Sequence, residues 1–194
     1  MTNNQKHLDI QCCLLDLGGV VFQSTGQSNE TIDWSIISQL NQQYGHQLNL
    51  GADVFEEFIR QYQQKTQVFI DGQEFLKQVF DTLDFNHSLV DRLGQNFPIC
   101  ILSDNYRENI TYISQRYQFS EWSARQFYSY EYGITKSDPA LFRTVLAALK
   151  LMPSQVLFID DYAPHIQTAA KLGIRGIQFA NNEQVFDALM SMMD

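Results

Sequence analysis

The sequence predicts an α/β fold: a doubly wound, mostly parallel, Rossmann-like sheet with a small helical insert after its first strand. Three observations predict it. Four short runs, "IQCCLLD" (10–16), "FPICILS" (97–103), "VLFID" (156–160) and "GIQF" (176–179), are continuously apolar or β-branched rather than alternating. That is the pattern of strands covered on both faces. Helical patterns alternate with them beyond residue 97, as in βαβ units. Between Val21 and Phe97 helical patterns follow one another with no convincing strand.

The elements can be justified in order. The first run ends in Asp16, followed by Leu17-Gly18-Gly19. Three helical stretches come next, at 30–45, 52–65 and 72–85, with loops at 24–29 and 94–98 marking the ends of the insert. The expected division is therefore a core of residues 1–22 and 95–194 and an insert of 23–94. "QFYSY" (126–130) is a fifth, weaker strand; the aromatics of 126–133 suit edge-strand packing, a sugar-stacking surface or a dimer face. Residues 139–150 open with Asp138 as N-cap and Pro139 at the first helical position, and Phe142, Val145, Leu146 and Leu149 repeat at helical spacing. Residues 163–172 form a helix that Gly173 stops, and 182–193 form a closing helix.

The totals bound the function. The 194 residues fit one domain, or a core with a small insert, and 44% hydrophobic residues suffice for a sizeable core. A formal charge of −9 and a pI near 4.8 give no footprint for nucleic acid or anionic membrane. An anionic substrate would have to be held by a local device such as a metal. Cys12, Cys13 and Cys100 form no CxxC pair and read as buried free thiols of a reducing compartment. The polar start "MTNNQKHLD" and the lack of any apolar run near ~20 residues complete the expectation of a soluble, cytoplasmic protein, monomeric or homodimeric.

Open α/β sheets bind ligands at the carboxyl ends of their strands. Asp16 ends the first run, Ser103-Asp104-Asn105 the second and Asp160-Asp161 the third, while Lys136 precedes the Asp-capped helix. Singly, each has an ordinary reading: a turn residue, an N-cap, carboxylates at a helix start, a solvated lysine. Jointly they suit a phosphate and a divalent cation. Crowded carboxylates need a compensating cation, and few hard oxygen ligands suit Mg²⁺ completed by water and substrate phosphate. Ser103 and the helix start after it would hold phosphate oxygens. Lys136 would neutralise charge, and Asp16 would be positioned as a nucleophile.

These residues resemble the haloacid dehalogenase superfamily, most of whose members are Mg²⁺-dependent phosphatases. The resemblance rests on four ordered motifs: "LLDLGGV", "ICILSDN", "GITKSDPALF" and "VLFIDDYAPHIQTAAKLGI". It covers residues 10–22 and 97–180, and the insert lies where the family has its helical cap. The Asp-Leu-Gly-Gly form is similar to a sugar-phosphatase branch that includes a bacterial α-glucose-1-phosphate phosphatase. The resemblance implies Asp16 as nucleophile and metal ligand, and the Gly18 carbonyl as a further ligand. It implies Ser103 and Asp104 at the phosphate, Lys136 bridging it to Asp16, and Asp160 and Asp161 at the metal. The implied substrate is a small phosphorylated metabolite.

Three departures stand out. The family's second motif-I aspartate, its general acid/base, is Gly18 here; Lys-Pro is Lys136-Ser137; the usual Asn of the fourth motif is His165. A positioned acid/base is worth roughly 10²–10⁴ in rate. The sequence therefore predicts slow turnover restricted to good leaving groups, a replacement acid/base, or a phosphate- and Mg²⁺-binding regulator without turnover. His165 is the candidate replacement; His46 and His87, in the insert, are further candidates. Dehalogenase chemistry needs no metal, so the acid pair counts against it.

Overall fold

Four fully buried residues, β1 (Cys12–Leu15), form the middle strand of the sheet in the computed structural model, which describes residues 9–26 and 32–193. The expectations for 1–8, for 27–29 of the 24–29 loop and for the first two residues of the 30–45 stretch lie outside the described residues. After β1 come β2 (Phe22–Ser24), α1 (Trp34–Asn49), α2 (Phe55–Thr66), α3 (Gly72–Phe80), β3 (Leu83–Phe85) and α4 (His87–Gly94). The chain returns to the sheet with β4 (Ile99–Ser103), α5 (Arg107–Arg116), α6 (Phe119–Trp122), β5 (Arg125–Tyr128) and α7 (Ser129–Tyr132). It finishes with α8 (Pro139–Leu149), β6 (Val156–Asp160), α9 (Ala163–Ala170), β7 (Arg175–Gln178) and α10 (Asn182–Met193).

The sheet order is β5-β4-β1-β6-β7, and every neighbouring pair is parallel. From β1 the chain winds first toward β5 and then crosses to β6. The carboxyl end of β1 is therefore the switch point, where an open sheet leaves a crevice. Successive residues of β1 face opposite layers, as the two-residue period requires. Cys12 and Leu14 pack with Phe142, Val145 and Phe158, whereas Cys13 and Leu15 join Ile101, Ile110 and Ile113. That second cluster continues into the insert through Leu40, Phe58 and Phe75. Ring contacts reinforce the junction: Phe55 lies 5.7 Å from Tyr106, and Phe80 5.7 Å from Tyr112.

The sequence-predicted strands form within a few residues of their expected limits, and Asp138 caps α8 by accepting the Ala140 N–H at 2.8 Å. The insert differs from expectation. β2 and β3 pair antiparallel, so the segment expected to be purely helical contains a short two-stranded ribbon, and the 72–85 stretch splits into α3 and β3. α4 was not anticipated either. Three-residue strands are too short for periodicity to register. They exist because Phe22 reaches across sequence to Phe80, Phe85, Tyr117 and Phe119. Among the described residues no helix is long and apolar enough to cross a membrane.

Asp81, just after α3, pairs with Arg116 of α5 at 2.7 Å and with Lys77 at 3.4 Å. The Arg116 hydrogen bond is the main cause holding the Asp81 carboxyl below its usual range. A depressed carboxylate stabilises the fold above the unfolded pKa, and this is lost as pH falls through the folded one. Both partners are about two-fifths exposed, which limits the pair to about 1 kcal/mol or less. Asp81→Asn should lower unfolding free energy by that small amount at pH 7 in low salt, and the difference should shrink with added salt and vanish below the carboxylate range. Denaturant titrations of both proteins at two pH values check this.

Candidate active site

The strand ends deliver the site. Asp16 directly follows β1, Ser103 ends β4, and Asp160 ends β6 with Asp161 after it. Parallel neighbours in register bring these ends to one rim: Leu15 pairs with Ile101 on one side and Ile159 on the other. Lys136 arrives from the loop before α8. Its backbone N–H donates to both oxygens of Asp104, at 2.9 and 3.1 Å, which ties that loop to the end of β4. Its ammonium lies 2.9 Å from Asp16 Oδ1 and 2.5 Å from Asp160 Oδ2.

Lys136 is 1% exposed and Asp160 0%, so neither charge is stabilised by bulk water. Burial works to lower the Lys136 pKa, but Asp16, Asp160 and Asp104 outweigh it and hold the ammonium above its ordinary value. Asp16 is pushed up to about 6, chiefly by burial and then by the Asp160 charge, against the pull of Lys136. Asp160 resists the same burial and is held down at about 2, because His165, Lys136 and the Tyr162 N–H all bond to it. Burial and the Asp160 charge raise Asp161; burial raises Asp104.

Oxygens of Asp16, Asp160 and Asp161 lie within 4.8 Å of one another. Four carboxylates around one ammonium leave excess negative charge, and three of them converge as hard donors. This set fits a divalent cation, whose charge would offset the repulsion that now raises Asp16 and Asp161. Gly19 makes the convergence possible. Its φ is +71°, and a Cβ there would collide with the Asp161 carboxylate. At Gly18 the geometry is different: a Cβ would meet nothing within 4 Å.

His165 sits between two carboxylates. Nδ1 is 3.2 Å from Asp160 Oδ2, and Nε2 is 3.6 Å from Asp104 Oδ2. The two histidines of the insert separate. His46, on α1, lines a cleft of about 520 Å³ that also includes Asp104, Thr135 and Ser137. His87 is exposed on α4 with its ring against Phe85. The aromatics of 126–133 are largely structural: Phe127 and Tyr128 are buried, and Tyr128 stacks on Tyr130.

Strands that present an aspartate, a serine and an acid pair at one rim, with a buried lysine between them, match a known description. The haloacid dehalogenase-like hydrolase family matches residues 10–173. The chain belongs to that family. A HAD family enzyme from Bacteroides thetaiotaomicron, crystallised with magnesium and inorganic phosphate, superposes with a TM-score of 0.71 at 20% identity, over 88% of this chain and 94% of that one. A 2-haloacid dehalogenase from Pseudomonas syringae superposes with a TM-score of 0.56 at 15% identity, over 88% and 86%. Both likenesses are of fold. Among curated proteins, mouse acyl-CoA dehydrogenase family member 10 is 36% identical over 61 residues, and pig bifunctional epoxide hydrolase 2 is 29% identical over 87. The matches span only 6% and 16% of those two proteins. Flavin mononucleotide hydrolase 1 of Arabidopsis thaliana is 25% identical over 125 residues, 60% of this chain and 51% of that protein.

Within this HAD-like site, several residues escaped sequence reasoning. Ser129 is fully buried and braces the loop after β4: its hydroxyl accepts the Asn105 N–H at 3.1 Å and donates to the Asn105 carbonyl at 3.2 Å. Gln178 holds the Asp161 carbonyl at 3.1 Å. Neither carries a motif signal, since both are brought in by strand pairing. The polar positions Asn41, Gly45 and Asn49 were legible as an i, i+4, i+8 stripe on α1, but nothing local says that it faces a cleft.

Alanine at Gly19 should cost about 1–2 kcal/mol in backbone strain and displace Asp161. The wild-type thermal midpoint should rise on adding a divalent cation, and Gly19→Ala should lose most of that rise. A full cation response in the variant would reduce Gly19 to a turn residue.

Proposed function

We propose that the protein is a Mg²⁺-dependent phosphatase acting on a small phosphorylated metabolite through an aspartyl-phosphate on Asp16. The observation that carries this reading is the buried Asp16–Lys136–Asp160 array, with Asp161 beside it, at the switch point of the sheet. The fold likeness to an enzyme crystallised with magnesium and inorganic phosphate supports it.

Asp16, Asp160, Asp161 and the Gly18 carbonyl would hold Mg²⁺, which supplies charge neutralisation to the phosphoryl oxygens and the carboxylates. Lys136 sets the position of Asp16 and balances its charge. Ser103 and the backbone after it bind the phosphoryl group, and Asp104 keeps the Lys136 loop in register. A carboxylate oxygen of Asp16 attacks phosphorus, and the bond to the leaving oxygen breaks with its electron pair. Water then attacks the aspartyl-phosphate, releasing phosphate and regenerating the carboxylate.

Nothing at position 18 delivers a proton to the leaving oxygen. His165 has both ring nitrogens against carboxylates, so it serves better as a tie between Asp160 and Asp104 than as a proton donor. Protonation then falls to water, and turnover is slow except for aryl, acyl or anomeric phosphates. The missing carboxylate also favours one alternative, a phosphate- and Mg²⁺-binding regulator without turnover.

Hydrolysis of an aryl phosphate with and without Mg²⁺ separates the two. Wild type should turn over only with Mg²⁺, with a rate that falls steeply as the leaving-group pKa rises, and Asp16→Asn should be inactive. Activity surviving Asp16→Asn would discard the nucleophile; a wild type inactive on every ester would leave the regulator. Because a side chain fits at position 18, Gly18→Asp should raise alkyl phosphate turnover by up to roughly 10²–10⁴. An unchanged rate would show that the acid at 18 is not what limits the enzyme.

A further inference from the structure

The loop that carries Gly18 and Gly19 closes on itself only in part. The Leu17 carbonyl accepts the Val21 and Phe22 N–H groups at 2.9 and 2.8 Å, and the Gly19 N–H donates to the Phe22 carbonyl at 2.9 Å. The carbonyls of Val20 and Val21 take no part in that ring of bonds. Both residues are fully buried, so their carbonyls need donors from the protein. Asn86, just before α4, reaches both. Its Nδ2 donates to the Val20 carbonyl at 3.2 Å, and its backbone N–H donates to the Val21 carbonyl at 2.8 Å. Gln23 Nε2 adds a longer bond to the Val20 carbonyl, at 3.3 Å.

A second amide fixes the first. Asn182, the first residue of α10, donates to Asn86 Oδ1 at 2.9 Å and accepts from Asn86 Nδ2 at 2.8 Å. Asn86 Oδ1 also accepts the Leu89 N–H at 3.2 Å, which caps α4. A carboxamide offers two donors and two acceptor lone pairs, and here all are taken. The Val20 carbonyl demands an N–H and the Leu89 N–H demands an oxygen, so only one orientation of the Asn86 amide satisfies both. A helix cap by itself needs only a side-chain oxygen, which serine or aspartate also supplies. The donor half of Asn86 is therefore not explained by the start of α4. Asn182 lines one cleft with Gly19 and Asp161, so the amide pair ends beside the acid that a Cβ at Gly19 would displace.

We infer that Asn86 is a positioning residue for the cation site. It acts through the Val20 and Val21 carbonyls, not as a ligand. By pinning the loop from outside, it sets the place of the Gly18 carbonyl and keeps the space at Gly19 that Asp161 fills. Asn182 holds the Asn86 amide in the orientation this requires. The inference rests on the reading of the rim as a Mg²⁺ site.

Calorimetric titration of Mg²⁺ into the full-length protein tests it without needing turnover. Asn86→Ser keeps a capping oxygen for α4 and removes the amide donor. It should weaken Mg²⁺ binding roughly tenfold or more, and the Gly19 amide should exchange its hydrogen faster than in wild type. Asn182→Ala leaves Asn86 on Val20 but unclamps its amide, and should give a smaller loss in the same direction. Val90→Ala removes buried packing from the same helix without touching the loop. It should lower the thermal midpoint and leave Mg²⁺ affinity unchanged. Unchanged Mg²⁺ affinity in Asn86→Ser overturns the inference. So does an equal loss in Val90→Ala, which would make the packing of α4 the cause. The expected order of affinities together with a wild type that hydrolyses no ester would sink the phosphatase reading alone. A wild type that binds no Mg²⁺ would sink both.

Discussion

The arrangement of the site depends on one buried ammonium. Lys136 stands between Asp16 and Asp160, nearly excluded from solvent. Removing one partner from a buried ionic set typically costs about 3–5 kcal/mol, because the remaining charges are left uncompensated. Here the remainder would be carboxylates on adjacent strands, held close by the sheet and unable to separate. The sheet register and the lysine therefore depend on each other. The strands force the acids together, and the lysine makes that proximity tolerable.

The same constraint explains how unevenly the acids behave. Asp160 collects the lysine, the histidine and a backbone N–H, and is held ionised well below the usual range. Asp16 shares the lysine but lies next to Asp160, so burial and repulsion leave it raised. Asp161 is raised as well and points toward Gly19. The unbalanced charge falls on Asp16 and Asp161, the two acids a divalent cation would relieve. Gly18 faces open space at this rim, and the insert joins the core through a continuous buried cluster.

Much of the sheet was legible. Continuous apolar runs at 10–16, 97–103 and 156–160 announce strands buried on both faces, because no alternation is needed when both sides are covered. Asp138-Pro139 announced the start of α8 through capping chemistry. The ribbon of β2 and β3 was illegible: a three-residue strand has no period, and Phe22 instead meets rings 58 to 97 positions away in sequence. α4 is likewise short, and it is held by β4 and the core beneath it rather than by a strong local pattern.

The order of the chemical residues at strand ends, together with the family they resemble, was determined by the sequence alone. So was the absence of a carboxylate at position 18, since a residue type needs no coordinates. Tertiary structure decided the rest. Lys136, expected to neutralise charge at the site, proved fully buried and set directly between Asp16 and Asp160. His165 was directed onto Asp160 and Asp104. A stripe of Asn41, Gly45 and Asn49 that looks like ordinary solvent-facing helix became one wall of a cleft. Each of these depends on which distant segment lies opposite, and that is set by sheet order and packing rather than by any local preference of the chain.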